Sequence, residues 1–189
     1  VVRADAFSGG VRLRRAAAVA RRSTPDPLAD PAIVVASRTP DAQRFVPRST
    51  RSLHPGHFWA LPLSDGSFGC ACVVELDEKS RTIFLAAVLD WHSVERPTPG
   101  SVEKAPCRAQ GQLHIKSILE TGGEVLGWRD DLKIEPWLFL DSTYSKRAMV
   151  HSGLRRIRPA TAADEALPVL STWGYRVPVV LAESWYVRR

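Results

Sequence analysis

The feature that most constrains this chain is a stretch of strict two-residue alternation folded about one turn signal. In residues 57–63, Trp59, Leu61 and Leu63 share one side while Phe58, Ala60 and Pro62 share the other, which is the period of an extended strand. Ser64-Asp65-Gly66 follows, a turn in which Asp tolerates left-handed geometry and Gly takes positive φ without steric cost. The return run alternates Phe68, Cys70, Cys72, Val74 and Leu76 with Gly69, Ala71, Val73 and Glu75. One side of it is bulky and the other small. Small residues on one side let a sheet curl or let another backbone approach closely.

Further strands are expected around this hairpin. Residues 82–91 form an apolar run rich in strand formers and are read as a buried third strand. Residues 92–111, with Pro97, Pro99, Gly100, Pro106 and Gly111, are read as a long loop. Leu113 and Ile115 alternate with polar neighbours, and short strands are expected at 124–128, 137–140 and 148–154, with Gly122-Gly123 as a hairpin turn. Thr161 followed by Asp164 and Glu165 marks a helix start, which Pro168 ends early. Residues 176–181, with Val177, Val179 and Leu181 on one side, are read as a final strand. The expected fold is mainly β, a β-rich α+β domain. It is a curled antiparallel sheet or partly open small barrel with one or two short helices.

Charge divides the chain into two parts. The formal net charge is +6, and residues 1–51 alone carry ten arginines against four aspartates, the whole of that excess. The other 138 residues hold 16 basic and 16 acidic side chains. Residues 1–52, which include five prolines, are therefore expected to be a flexible basic arm, and residues 53–189 a single neutral domain. The Val start and the shift in composition set the arm apart as a candidate for a misassigned start or a truncation. The longest apolar run, Ile83 to Leu89, has seven residues, far short of the roughly 18 that a membrane-spanning helix needs. Arg21 and Arg22 close the five-residue apolar stretch after Arg15 too early for a secretory signal. Three cysteines are too few for a disulfide scaffold, so a reducing cytoplasm is expected.

Motifs for catalysis are sparse. No G-x-S-x-G, H-E-x-x-H or phosphate-binding Gly-rich loop with Lys-Ser/Thr occurs. Cys70 and Cys72 have a C-x-C spacing that structural zinc sites do not favour, and they read as small buried apolar residues. His54 and His57 flank a turn and read as surface histidines. Asp90, Asp130, Asp131 and Glu135 fall at expected turns and strand ends, where solvated charges sit. No catalytic residue, metal ligand or cofactor is assigned. All six tryptophans lie in the neutral domain. Trp59 reads as core, whereas Trp91 and Trp128 sit where strands run into polar turns and are candidates for an interface.

Residues 55–74, PGHFWALPLSDGSFGCACVV, resemble the opening hairpin of the immunity protein 26 family of bacterial polymorphic toxin systems. That family opens with a Gly-Asp-Φ-Φ-Ala-Ile-Pro-Leu strand, an Asp-Gly turn and an aromatic-Gly-x-Gly-x-Val return. Gly56, Phe58, Trp59, Ala60, Leu61, Pro62 and Leu63 match the first strand, Asp65 and Gly66 the turn, and Phe68, Gly69 and Val73 the return. His57 replaces the acidic residue and Ala71 the second glycine. The resemblance implies a cytoplasmic protein that binds and neutralises a cognate toxin domain, a nuclease among the candidates, by covering its active site or an adjacent surface. It carries over no toxin-facing residues. Local sequence alone nominates Asp90, Trp91, His92, Trp128 and Arg129. Two other readings stand beside it: a small β-barrel nucleic-acid-binding module, with Phe58, Phe68 or Trp91 as stacking platforms and the arm as tether, and a hydrolase assembled around Cys70 or His92.

Overall fold

A computed structural model describes residues 44–132, 134–142 and 147–187. Among them are eight strands in two antiparallel sheets and two α-helices. The expected hairpin forms β1 (His57–Pro62) and β2 (Phe68–Leu76), with Phe58 opposite Cys72 and Ala60 opposite Cys70. Its turn works as its composition dictates. Gly66 takes φ +85°, and the Asp65 carboxylate accepts the Ser67 N–H at 2.9 Å. β3 (Ile83–Ser93) pairs with β2, and β4 (Cys107–His114) pairs with β3. β5 (Gly127–Trp128) pairs with the other side of β1, giving the order β4-β3-β2-β1-β5. The outermost strands β4 and β5 do not pair, so the sheet stays open and no barrel closes.

Both faces of this sheet are covered, which is why Phe84 to Leu89 in the middle of β3 are all fully buried. One face packs Trp59, Leu61, Ala71, Val73, Phe84 and Val88 under Ile118 of α1 (Lys116–Glu120) and under Val179 and Ala182 of α2 (Val177–Tyr186). The other packs Phe58, Cys70, Cys72, Leu85 and Leu89 under Val102, Leu126, Leu132 and Phe139. The small side of β2 accommodates a helix. A Cβ on Gly69 would lie 3.1 Å from the Ala182 Cβ, so β2 and α2 approach as closely as side chains allow.

A second sheet, ordered β6 (Leu138–Leu140), β7 (Met149–Ser152) and β8 (Arg155–Pro159), carries a smaller core of Leu140, Ala148 and Val150. Residues 169–173 stitch the sheets together. Val169 pairs in parallel with Leu140 on β6, and Thr172 pairs in parallel with Gln112 on β4. Trp173 lies directly on Gly111, where a Cβ would fall 2.1 Å from the indole.

Several sequence expectations need correction. Residues 176–181 are not a strand but the start of α2. Pro178 is the reason, since a proline removes a ladder donor from a strand but suits the first helical turn. The deciding apolar spacing, Val179, Ala182 and Tyr186, also runs beyond 181. Gly122-Gly123 is not a hairpin turn; Gly123, at φ +81°, donates its N–H to the Ile118 carbonyl and stops α1, a helix termination by a left-handed residue. The stretch after Thr161 closes the expected capping box, yet only a single 3-10 turn forms, Ala162–Asp164. Strands extend into both ends of the expected 92–111 loop, and β8 was not anticipated at all. The remainder of that loop lies over the sheet, with Pro97 and Val102 buried. His57 is not a surface residue; it is 6% exposed, and its Nδ1 accepts the His54 N–H at 2.8 Å.

Of the expected basic arm, residues 1–43 lie outside the described residues. Residues 44–52 are tied to the domain: Phe45 and Val125 exchange backbone hydrogen bonds of 3.1 and 2.8 Å, and Thr50 is buried.

Candidate functional site

The far end of β3 carries the site. Beyond the irregularity between Val88 and Leu89, alternation sends Leu89 and Trp91 into the core under Val102, leaving Asp90 and His92 on the side of α2. The last turn of α2 brings Trp185 and Tyr186 to that place, and β4 brings Arg108. The Tyr186 hydroxyl donates to Asp90 Oδ1 at 2.7 Å, and Arg108 Nη1 donates to the same oxygen at 3.1 Å. The guanidinium carbon of Arg108 lies 4.5 Å from the Trp185 ring centre and 5.6 Å from that of Tyr186, within cation–π range. The His92 ring stacks on Tyr186 with centres 4.8 Å apart and planes within 11°.

The same histidine reaches the hairpin turn. His92 Nε2 lies 2.7 Å from Ser67 Oγ, which in turn hydrogen-bonds Asp65 Oδ1. Proton counting fixes the roles. The hydrogen bonds from Ser67 hold the Asp65 carboxyl below its ordinary range, so the carboxylate only accepts. The single Ser67 proton goes to Asp65, and His92 Nε2 donates to Ser67 Oγ. A serine nucleophile needs the opposite polarity, with the imidazole taking the hydroxyl proton. Ser67 is also 4% exposed.

Electrostatics fix the charge of the Asp90–Tyr186 pair. Hydrogen bonding from Tyr186, with the nearby Arg108, holds the Asp90 carboxyl below its usual value. Burial and the bond to Asp90 push the Tyr186 hydroxyl up to about 12. Asp90 is ionised and Tyr186 neutral across the physiological range.

The five nominated residues do not gather at one place. Asp90 and His92 lie in this cluster; Trp91 lies on the other face of the sheet. Trp128 and Arg129 lie at the β5 edge, with β1 and β2 between them and β3. There Trp128 Nε1 donates to the Pro55 carbonyl at 2.9 Å, and Arg129 holds Asp131 and the Pro99 carbonyl. Gly56, at φ +92°, lies so close to the Arg129 carbonyl that a Cβ would fall 2.1 Å from its oxygen. The pair therefore locks β5 to the turn before β1. Among the hairpin-motif residues, Phe58 and Gly69 sit in the two cores, Pro62 is exposed at the end of β1, and Phe68 lies under the guanidinium of Arg96, 6.0 Å away.

Sequence reading passed over Arg108, Trp185, Tyr186 and Ser67. Arg108 fell in the presumed loop. Trp185 and Tyr186 fell beyond the presumed last strand, although continuing the helical spacing from Val179 would have reached Tyr186. The cysteines are poor nucleophiles: burial pushes the thiols of Cys70, Cys72 and Cys107 up, opposite to what thiolate chemistry needs. Among the described residues no three His, Cys, Asp or Glu side chains group as metal ligands, and no helix is long and apolar enough to cross a membrane. Scanned against protein-family models, and compared with curated proteins and with solved structures, the chain matches none.

Proposed function

We propose that this chain is an immunity protein that binds a cognate bacterial toxin domain in the cytoplasm, a nuclease among the candidates, and neutralises it by covering its active site or an adjacent surface. The observation that carries the reading is the Arg108–Trp185–Tyr186 cluster braced by Asp90. Arg, Trp and Tyr are the residues most enriched at binding hot spots. Here they are held in place before any partner arrives, so little side-chain freedom is lost on association. The hairpin resemblance over residues 55–74 supports the same reading, and catalysis is not required of such a protein.

The cluster favours a protein partner over a nucleic acid. Base stacking needs open aromatic faces, whereas Arg108 lies over Trp185 and His92 stacks on Tyr186. The test is a pull-down with the tagged full chain at moderate salt, followed by co-expression. The expected result is capture of a C-terminal toxic domain whose growth arrest the chain relieves, with Arg108→Ala and Trp185→Ala each weakening capture at least tenfold. An eluate containing nucleic acid and no such domain overturns the proposal in favour of a nucleic-acid-binding module.

A further inference from the structure

Among the described residues, β8 is a sheet edge with no strand beside it. It pairs with β7 alone, all five of its residues are exposed, and no described strand or isolated bridge meets its outer side. Such an edge presents unpaired backbone N–H and C=O groups that will accept another strand unless something prevents it. The question is which strand the edge admits, and its side chains answer through charge.

Arg155 lies opposite Ser152, Arg156 opposite His151 and Arg158 opposite Val150, with an irregularity between the last two pairs. Cross-strand partners share a face, so the arginines project from both faces of the sheet. Arg158 is neutralised by Asp164, which takes both of its terminal nitrogens at 2.6 and 2.7 Å. Arg156 meets Asp141 only at 3.5 Å, and Arg155 has no ion-pair partner among the described residues. The edge therefore carries three arginines against two carboxylates, with Arg155 unpaired on one face and Arg156 on the other in an exposed pair with Asp141.

Three occupants can be weighed. A second copy pairing along this edge would bring a second arginine-rich strand, with its own unpaired Arg155, against the first, and like charges brought together across strands are destabilising. The chain's own first 43 residues hold seven arginines against four aspartates, which is the same mismatch. An extended acidic segment meets no such penalty, and its carboxylates reach arginines on either face while its backbone completes the ladder. We propose that the outer edge of β8 is a strand-addition site for an extended acidic segment of another protein. This site is separate from the Arg108 cluster and does not depend on the identity of that cluster's partner.

The probe is a labelled ten-residue peptide in which Glu-Glu and Val-Val pairs alternate, so that an added strand carries carboxylates on both faces, titrated into the full chain by fluorescence anisotropy and by hydrogen exchange of residues 155–158. The expected result is saturable binding with slowed exchange in β8. Affinity should fall at least tenfold when alternate peptide nitrogens of the probe are methylated, and at least tenfold in the chain carrying Arg155→Glu and Arg156→Glu. Both substituted residues are exposed, and circular dichroism reports whether the variant stays folded. Absence of binding overturns the proposal. Equal binding of the methylated peptide reduces the site to a charged patch and overturns strand addition. Equal binding of a Lys-Val peptide overturns the acidic specificity.

Discussion

Asp90 takes two hydrogen bonds on a single oxygen, from Tyr186 and Arg108, and this one carboxylate couples α2 to β3 and β4. Tyr186→Phe removes one donor while Arg108 still satisfies the acceptor. A stability loss of about 1 kcal/mol is expected, read by urea unfolding, with a larger loss of partner capture than of stability. His57 supplies a pH signature. Burial, and then the neighbouring His54, lower its pKa from 6.5 to about 4. The unfolded chain therefore binds this proton more readily than the folded one. Stability is fully present above pH 6.5, declines as pH falls toward 4 and levels off below. At its steepest the decline approaches about 1.4 kcal/mol per pH unit. Thermal unfolding across pH 4–7 should show this slope, and His57→Phe should flatten it; an unchanged slope would assign the proton to another group.

At the scale of elements, close approach decides more than propensity. Trp173 occupies the space over Gly111, so Gly111→Ala should dislodge the indole and with it the pairing of 171–173 along β4. A loss of about 1–3 kcal/mol is expected from overpacking of this kind, visible as a change in tryptophan fluorescence. Gln110 does for residues 135–137 what a strand would do. Its amide donates to the Glu135 carbonyl at 2.9 Å and accepts the Trp137 N–H at 3.0 Å. Gln110→Leu removes the partner of both part-buried backbone groups and should cost about 1–2 kcal/mol in chemical denaturation. These contacts also show where sequence reading reaches its end. The hairpin was legible because alternation and the Asp65-Gly66 turn are local. The α2 helix was misread because a short window of Val177, Val179 and Leu181 has a strand's period, and only the small face of β2 around Gly69 and Ala71 makes a helix the better partner. Of the candidate site, Asp90 and His92 were visible as polar residues ending an apolar strand. Arg108 and Tyr186 join them through pairings 18 and 96 residues apart in sequence, which no local pattern encodes.

At the scale of the whole molecule, polar contacts among the described residues tie the two sheets together. Glu75 on β2 accepts the Leu154 N–H at 2.9 Å, just before β8, and Gln110 and residues 169–173 make further links. Glu75→Ala should accelerate hydrogen exchange in β6–β8 while leaving β2 and β3 protected; uniform acceleration would mean that the sheets unfold as one unit. The order of the strap in the chain has its own consequence. Residues 169–173 pair with edges made from residues 107–114 and 138–140. During synthesis both edges emerge from the ribosome well before the segment that shields them. For that interval the nascent chain displays two bare strand edges, and its risk of joining a neighbour on the same messenger rises with the time taken to translate residues 141–173.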